Sequence, residues 1–220
     1  MQRYKLLGIL LIFIFSMACS ACSVESLVYD KFPFLENQVL LFTDDFSDPQ
    51  SGWDTSQSEV DLKEYSPNGF WIVVNSAKVK SWSRPHLNFA DVNISVRTMK
   101  ITGPDNNLFG VICRYQDEDN YYSFLIGSDG YYGITITKDG HEQLIGRTAM
   151  DFSYDIQQGN TENVIMADCV KSNLTLYVNG IRLIDVVDEE LAYGDVGIIV
   201  GTDKQPGAAI LFNSFVVMNR

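Results

Sequence analysis

Three acidic side chains close together near the start of the chain are the best candidates for binding a metal ion. Asp44, Asp45 and Asp48 fall within one short stretch. Calcium prefers oxygen ligands, which often include loop carboxylates and backbone carbonyls. This stretch is therefore a candidate calcium site, and no other cofactor is expected. The alternative is that Asp48, which precedes Pro49, begins a turn and that the other two acids are ordinary surface residues.

A second group of residues has the chemistry of a carbohydrate-binding surface. Aromatic rings can stack on sugars, while a few polar groups fix the orientation of the ligand. Adjacent strand residues point to opposite faces, so each of the tyrosine pairs at 121–122 and 131–132 should place one ring in the core and one outside. The alternative is that all of these rings serve cross-strand packing. The predicted ligand-binding residues are Trp82, Arg114, Tyr122 and Tyr132.

The sequence contains no recognisable catalytic constellation. His86 and His141 lie in loop-like contexts, and a Gly-x-Ser-x-Gly motif and phosphate-binding glycine-rich loops are both absent. The acids at 117–119 are contiguous and fall in a turn, and those at 185–190 are typical of a solvated loop. Zinc would need more cysteine or histidine ligands than the chain offers. No catalytic residue is predicted, and the sequence favours a non-catalytic protein over an enzyme.

The N-terminus has the three parts of an export signal. Arg3 and Lys5 give a positive start, residues 6–15 form an uninterrupted apolar run, and small residues and cysteines follow. A transmembrane helix takes about 20 apolar residues. This run is shorter, so a membrane-spanning anchor is the less favoured alternative.

The end of this segment resembles a bacterial lipoprotein signal, in which a small residue precedes the cysteine that becomes lipidated. Ala18-Cys19 and Ala21-Cys22 both fit, although neither has the usual leucine three residues before the cysteine. We predict lipidation at Cys19, which is closer to the apolar run, with Cys22 as the alternative. Two acyl chains would anchor the protein stably in a membrane. An ordinary signal peptide that releases a soluble protein is the other interpretation.

This interpretation divides the chain into three parts. Residues 1–18 would be the signal peptide, residues 19–37 a tether, and residues 38–220 one domain on the extracytoplasmic side of a bacterial cell envelope. The net charge is -12, and removal of the signal with its two basic residues would make the chain still more acidic. Such a surface repels phosphate groups, so nucleic acid is excluded as a partner.

Two cysteines, Cys113 and Cys169, remain beyond the signal. Both lie in apolar, strand-like runs. Export would place them in a compartment where a disulfide can persist. Two buried free thiols explain the same pattern, because free cysteine behaves as a small hydrophobic residue. The sequence therefore leaves the disulfide open.

The rest of the chain has the texture of an all-β fold. Apolar or aromatic runs of five to ten residues alternate with turn residues, and no long window has a helical period. Asn179-Gly180 predicts a tight hairpin, because both central positions of a type I′ turn need a positive φ. Short strands at this spacing predict a two-sheet antiparallel jelly-roll sandwich. The predicted strands are residues 39–43, 69–75, 92–101, 108–116, 121–126, 131–137, 163–170, 174–178, 181–187, 196–200 and 208–218.

The order of strands and turns resembles the concanavalin A-like lectin and glucanase superfamily, including its laminin-G-like modules. The resemblance is carried by DDFSDPQSGW at 44–53, GVICRYQD at 110–117, LYVNG at 176–180 and GDVG at 194–197. It spans nearly all of residues 40–218 and implies a concanavalin A-like jelly roll. The chain is also similar to the domain of 3-keto-disaccharide hydrolases, which implies a hydrolase of sugar derivatives as one alternative function.

The resemblance also bears on the site. Glucanases of this superfamily carry a Glu-x-Asp-x-Glu strand, and the sequence has none, which disfavours their mechanism. In several jelly rolls a cation lies where the first and last strands meet, so Asn213 could join the candidate calcium ligands. We expect a non-catalytic binding module for carbohydrate or glycoconjugate, with a structural or interaction domain of a surface assembly as a further alternative.

Overall fold

The computed structural model describes residues 39–220, and these form two antiparallel sheets packed face to face. The predicted signal, tether and lipidated cysteine, Cys19 or Cys22, lie outside the described residues. In the described part of the chain, no helix is long and apolar enough to cross a membrane. The all-β jelly-roll prediction is confirmed.

The larger sheet has nine strands in the described residues. Eight of them are hydrogen-bonded in one continuous order, and the ninth, β1 (Leu40–Asp44), pairs with β16 (Ala208–Asn219). The last strand of the chain lies near the middle of this sheet, between β6 and β4. In spatial order the strands are β14 (Ile181–Val187), β13 (Asn173–Val178), β12 (Glu162–Val170), β6 (Val92–Thr102), β16 (Ala208–Asn219), β4 (Gly69–Val74), β3 (Asp61–Ser66) and β2 (Ser56–Gln57), with β1 (Leu40–Asp44).

The smaller sheet has seven strands in the same part of the chain. Its strands β7 (Asn107–Asp117), β8 (Asn120–Ile126) and β9 (Tyr131–Lys138) follow one another as a meander. Six strands are hydrogen-bonded in one continuous order, and the short strand β11 (Asp151–Phe152) also pairs with β9. In spatial order the strands are β10 (His141–Leu144), β9 (Tyr131–Lys138), β8 (Asn120–Ile126), β7 (Asn107–Asp117), β15 (Asp195–Thr202) and β5 (Lys80–Ser83), with β11 (Asp151–Phe152).

The core is the apolar layer between the two sheets. Alternate residues of each strand point into it, as the period of two in a strand requires. Phe70, Ile94 and Phe212 enter from the nine-stranded sheet, and Phe124 and Ile134 enter from the seven-stranded sheet. The other set of alternate residues is left on the outer faces.

A disulfide crosses this core. Cys113 on β7 is bonded to Cys169 on β12, so the bond joins the seven-stranded sheet to the nine-stranded sheet. Both cysteines are fully buried. The two free thiols that the sequence also allowed are therefore not present in this structure.

The predicted hairpin at Asn179-Gly180 is present and joins β13 to β14. Its two residues have φ angles of 53° and 83°, the positive values that a type I′ turn needs. The Asn179 side chain also accepts a hydrogen bond from the Val164 amide at 2.9 Å. That bond ties the turn to the neighbouring strand β12.

The disulfide generates a prediction about stability. Its cysteines are 56 residues apart, and a crosslink closing a loop of that length stabilises a fold by about 4 kcal/mol through the entropy of the unfolded chain. Urea unfolding of the full chain with dithiothreitol should show a loss of roughly that size relative to the oxidised chain. The double variant Cys113→Ala, Cys169→Ala is the control and should not respond to the reductant. An unchanged midpoint in the reduced wild-type chain would contradict the prediction.

Candidate binding cleft

The seven-stranded sheet curls strongly toward its outer face. β5 and β10 are its opposite edges, with four strands between them. Even so, the Lys80 ammonium on β5 donates a hydrogen bond to the Glu142 carboxylate on β10. Side chains from opposite edges of a flat sheet of this width could not meet, because neighbouring strands lie about 4.8 Å apart. The outer face is therefore concave.

The concave face encloses an open cavity of about 510 Å³, which we call the cleft. Every strand of the sheet from one edge to the other contributes to its walls. Ligand sites of proteins are typically concave and of this size, with mostly apolar walls and a few polar groups. One lining residue from each strand, in the order β5, β15, β7, β8, β9 and β10, is Lys80, Gly201, Leu108, Leu125, Thr135 and Leu144.

Two glycines allow side chains to lie close to the floor of the cleft. A Cβ atom at Gly133 would be 2.8 Å from Leu144 Cδ2, and one at Gly201 would be 3.1 Å from Lys80 Cγ. Both distances are shorter than ordinary carbon–carbon contacts. Leu144 and Lys80 thus fold over backbone that carries no side chain.

An aromatic cluster continues the cleft along the same face. Trp82, Tyr115 and Tyr121 have ring centroids 5.6 to 6.2 Å apart. They belong to one apolar cluster with the cleft residues Leu108 and Leu125. Burial raises the pKa of Tyr115 and Tyr121, so both hydroxyls stay protonated at neutral pH.

A cation lies on this cluster at the end away from the cleft. The Arg84 guanidinium is 4.0 Å from the centroid of the Tyr115 ring, a cation–π geometry. It also donates to the Asp195 carboxylate at 3.1 Å. Burial raises the pKa of Asp195, against the stabilising effect of the amides of Leu87 and Val196 and of Arg84.

Two unpaired hydroxyl groups belong to the floor region of the cleft: Thr135 lines the cavity, and Ser123 lies beside Thr135 in the sheet. Ser123 on β8 and Thr135 on β9 lie opposite each other in the register and point outward, because their strand neighbours point into the core. They are 0% and 6% exposed. Within the described part of the chain, neither hydroxyl oxygen has a hydrogen-bond partner. Such groups are rare in proteins, since nearly all buried polar atoms are paired.

Two of the four predicted ligand-binding residues lie inside the core, which corrects the prediction. Tyr122 is fully buried between the sheets, where its hydroxyl donates to Asp188 and accepts from the Leu191 amide at 3.1 Å. Burial and the Asp188 carboxylate both raise the pKa of Tyr122. Tyr132 is also a core residue, and its hydroxyl donates to the Leu183 carbonyl. The outward ring of the first pair is Tyr121.

Arg114 is also a structural residue rather than a cleft residue. It sits at an irregularity in β7 with a φ of 51° and is almost completely buried. Its guanidinium donates to the carbonyls of Leu191 and Ala90 at 2.8 and 3.3 Å and contacts the Asp91 carboxylate. Of the four predicted residues, Trp82 is the one on the concave face.

The acidic stretch of the calcium prediction is occupied by local hydrogen bonds. Asp44 is buried and accepts from the Phe46 amide at 2.7 Å and from the Trp53 indole at 2.9 Å. Asp45 and Asp48 each accept from the amide two residues ahead, the pattern of an Asx turn. Among residues 39–220, no three His, Cys, Asp or Glu side chains converge as metal ligands do. The three acids thus have structural roles in this stretch, and calcium binding there stays a prediction.

Asn213, the further calcium candidate, is likewise engaged. Its side-chain nitrogen donates to the Asn68 carbonyl at 3.3 Å, and its oxygen accepts from the Ser214 hydroxyl at 2.6 Å. Ser214 has a φ of 54°, which marks a bulge between β16 and β6. The residue thus stabilises an irregularity in the last strand.

Sequence reasoning missed most of the cleft. Lys80, Tyr121, Ser123 and Glu142 were not predicted, and neither β5 nor β10 was expected as a strand. One signal was available for β8. Its even-numbered residues from Tyr122 are uniformly apolar, whereas the odd-numbered set includes Ser123, which indicates that the odd-numbered set faces outward.

No protein-family model matches the sequence, and no curated protein matches it significantly. Solved structures do match the fold. The carbohydrate-binding module CBM66 from Bacillus subtilis superposes with a TM-score of 0.60 at 15% identity, over 76% of this chain and 96% of that one. A GH16 protein from Bacteroides ovatus, described in complex with a mixed-linkage glucan product, has a TM-score of 0.57 at 8% identity over 81% and 100%.

A xylan β-1,4-xylosidase from Bacillus halodurans gives a TM-score of 0.58 at 12% identity. That match covers 80% of this chain and 39% of the xylosidase, so this chain corresponds to a part of that enzyme. Together these similarities show that the chain has a two-sheet jelly-roll sandwich fold.

The buried position of Tyr122 generates a second prediction. Tyr122→Phe keeps the ring in the core but leaves the Asp188 carboxylate and the Leu191 amide without their partner, which costs about 1–3 kcal/mol. Urea unfolding at pH 7 should detect that loss in the full chain. Tyr154→Phe is the control, because Tyr154 is 88% exposed, and it should unfold as the wild-type chain does. An unchanged stability of Tyr122→Phe would contradict a structural role for the hydroxyl.

Proposed function

We propose that this protein is a non-catalytic binding module whose ligand is a carbohydrate or glycoconjugate. The observation that carries the proposal is the cleft, where the aromatic cluster of Trp82, Tyr115 and Tyr121 adjoins a floor lined by Thr135. The hydroxyls of Thr135 and of its strand partner Ser123 are both unpaired among the described residues.

The chemistry of a sugar fits the two halves of this surface. The C–H face of a pyranose or furanose ring is apolar and packs against aromatic rings. Its hydroxyl groups both donate and accept hydrogen bonds, which is what serine and threonine hydroxyls require. A ligand hydroxyl placed on the floor would satisfy polar atoms that are otherwise buried without partners.

The non-catalytic part of the proposal rests on the floor of the cleft. Hydrolysis by paired acids needs two carboxyl groups about 5 to 5.5 Å or 6.5 to 9.5 Å apart across the scissile bond. The outward-facing residues of β8 and β9 include no acid. At the rim, the Glu142 carboxylate is paired with the Lys80 ammonium.

The fold similarities support sugar as the ligand class. One similar structure is named as a carbohydrate-binding module, and another was described with an oligosaccharide product. At 8 to 15% identity these names do not transfer a particular sugar to this chain. They agree with the chemistry of the cleft, which is the primary argument.

We also propose that the module is displayed on the outer side of a bacterial membrane by lipid at Cys19. The export signal and the small residues before the cysteines are the basis in the sequence. The Cys113–Cys169 disulfide supports export, because structural disulfides persist in oxidising compartments outside the cytosol.

Ligand binding can be measured by probing an array of neutral oligosaccharides with the full chain. Trp82→Ala removes a ring of the aromatic cluster, and Thr135→Val replaces a floor hydroxyl by a methyl group of the same shape. We expect each variant to bind about tenfold more weakly, since stacking and hydrogen-bond losses of this kind are each about 1 kcal/mol or more. Calorimetry with the best sugar then gives the affinities.

Trp71→Ala is the matched control, because Trp71 is a half-buried tryptophan on β4 of the other sheet. It should leave sugar binding unchanged. Equal binding by wild type and Trp82→Ala, or an equal loss in Trp71→Ala, would refute the cleft as the site. Release of shorter sugars from a bound oligosaccharide would identify a hydrolase instead.

The anchor is tested separately by intact-mass spectrometry of membrane fractions from expressing bacteria. The expected mature chain begins at Cys19 and carries the mass of a diacylglyceryl group. Cys19→Ser should move the chain to the soluble fraction or leave it unprocessed. A mature chain that begins at a residue other than a lipidated Cys19 or Cys22 would refute the lipid anchor.

A further inference from the structure

One ion pair spans the cleft from edge to edge. Lys80 and Glu142 are 62 residues apart in sequence and lie on the two opposite edge strands of the seven-stranded sheet. Both line the same cavity as Thr135 and Leu144. The Lys80 side chain passes over Gly201, whose missing Cβ would be 3.1 Å from Lys80 Cγ.

The residues beneath this pair are more buried than their position predicts. Tyr121, Ser123 and Thr135 point away from the core of the sandwich, yet they are 4%, 0% and 6% exposed. Glu142 is paired in register with Thr137, which is paired with Tyr121. Ser123 and Thr135 belong to the next outward-facing row, and Lys80 lies on the row of Gly201, toward the other end of the strands. The ion pair therefore joins two rows that lie on either side of the Ser123–Thr135 row.

We propose that Lys80 and Glu142 form a strap that closes the cleft and opens to admit a ligand to the Ser123 and Thr135 floor. The pair is at the surface, with side-chain exposures of 22% and 36%. Ion pairs with this much solvent contact are weak, and they shift an equilibrium by a factor of about five at most. The ion pair is therefore easily broken, but in this proposal it must break before a ligand reaches the floor.

The strap also determines what can enter. When it is closed, a continuous polymer cannot run across the face at this point. When it opens, the ammonium and the carboxylate are released at the two rims, where they can donate to and accept from ligand hydroxyls. Only this last step rests on the proposed sugar-binding function; control of access does not.

The access step can be measured without any sugar. Ser123→Cys places a thiol on the floor, and its reaction with the neutral reagent 4,4′-dithiodipyridine reports how often the floor is reached. The full chain without the new thiol gives the background from Cys19 and Cys22. Thr135→Cys is the second reporter and replaces Ser123→Cys if that variant does not fold.

The expected result is a faster reaction whenever the strap is broken. Glu142→Gln and Lys80→Met should each raise the rate by about two- to fivefold. Glu142→Gln removes a negative charge and so lowers the pKa of a nearby thiol, whereas Lys80→Met removes a positive charge and so raises that pKa. An increase in both variants therefore reports opening rather than a change in thiol ionisation. Raising the salt concentration to 1 M, where the Debye length is about 3 Å, should have the same effect on the wild-type strap.

Two controls make the interpretation specific. The double variant Lys80→Glu, Glu142→Lys restores the pair with its charges exchanged and should restore the slow rate. Glu162→Gln breaks the Arg97–Glu162 pair on the other sheet and should leave the rate unchanged. Equal rates in wild type, Glu142→Gln and Lys80→Met, or no reaction of either reporter in any variant, would overturn the strap. A strap that opens without any sugar binding in the array would refute the proposed function alone.

Discussion

The structure depends on the burial of one face of each sheet against the other. Side chains alternate along a strand, so the residues that enter this shared layer fix which residues remain outside. On β8 the layer takes Tyr122 and Phe124, and on β9 it takes Ile134. Ser123 and Thr135 are then left on the outer face. The core thus determines the chemistry of the cleft, although it contacts no ligand.

The strands that feed this layer could be predicted from the sequence because most of their residues are apolar. β14 was predicted with its observed bounds, and β4, β6, β8 and β12 each differ from the predictions by one residue at one end. β3, β5 and β10 were missed, as were the two-residue strands β2 and β11. They are short and polar, and β5 and β10 are edge strands of the seven-stranded sheet. An edge strand shares fewer neighbours, so its alternation of apolar and polar residues is weak.

The same physics explains why the site was only partly predicted. Adjacent tyrosines on β8 were correctly expected on opposite faces, but the choice of Tyr122 as the outward one was wrong by a single residue, and such a shift exchanges the two faces completely. The acids at Asp44 and Asp48 also allowed two interpretations, a metal site and turn formation, and their hydrogen bonds to amides two residues ahead show that they take part in turns. Composition alone does not distinguish those uses.

The curl of the seven-stranded sheet could not be read from the sequence at all. Pairing rules relate neighbouring strands, whereas contact between β5 and β10 is the sum of twist and bending over the whole sheet. That curl is what buries the hydroxyls of Ser123 and Thr135 on an outer face.

A buried hydroxyl without a partner costs about 1–3 kcal/mol. Other buried polar groups are satisfied, as at Asn163, whose side chain bonds Gln157 at both its amide and its carbonyl. The buried hydroxyls of Ser95 and Thr137 also lack a partner among the described residues. Local departures from polar satisfaction are expected at functional sites. At Thr135 the unpaired hydroxyl coincides with a cavity and lies near an aromatic cluster. That coincidence, and not the missing partner alone, is the evidence for a ligand.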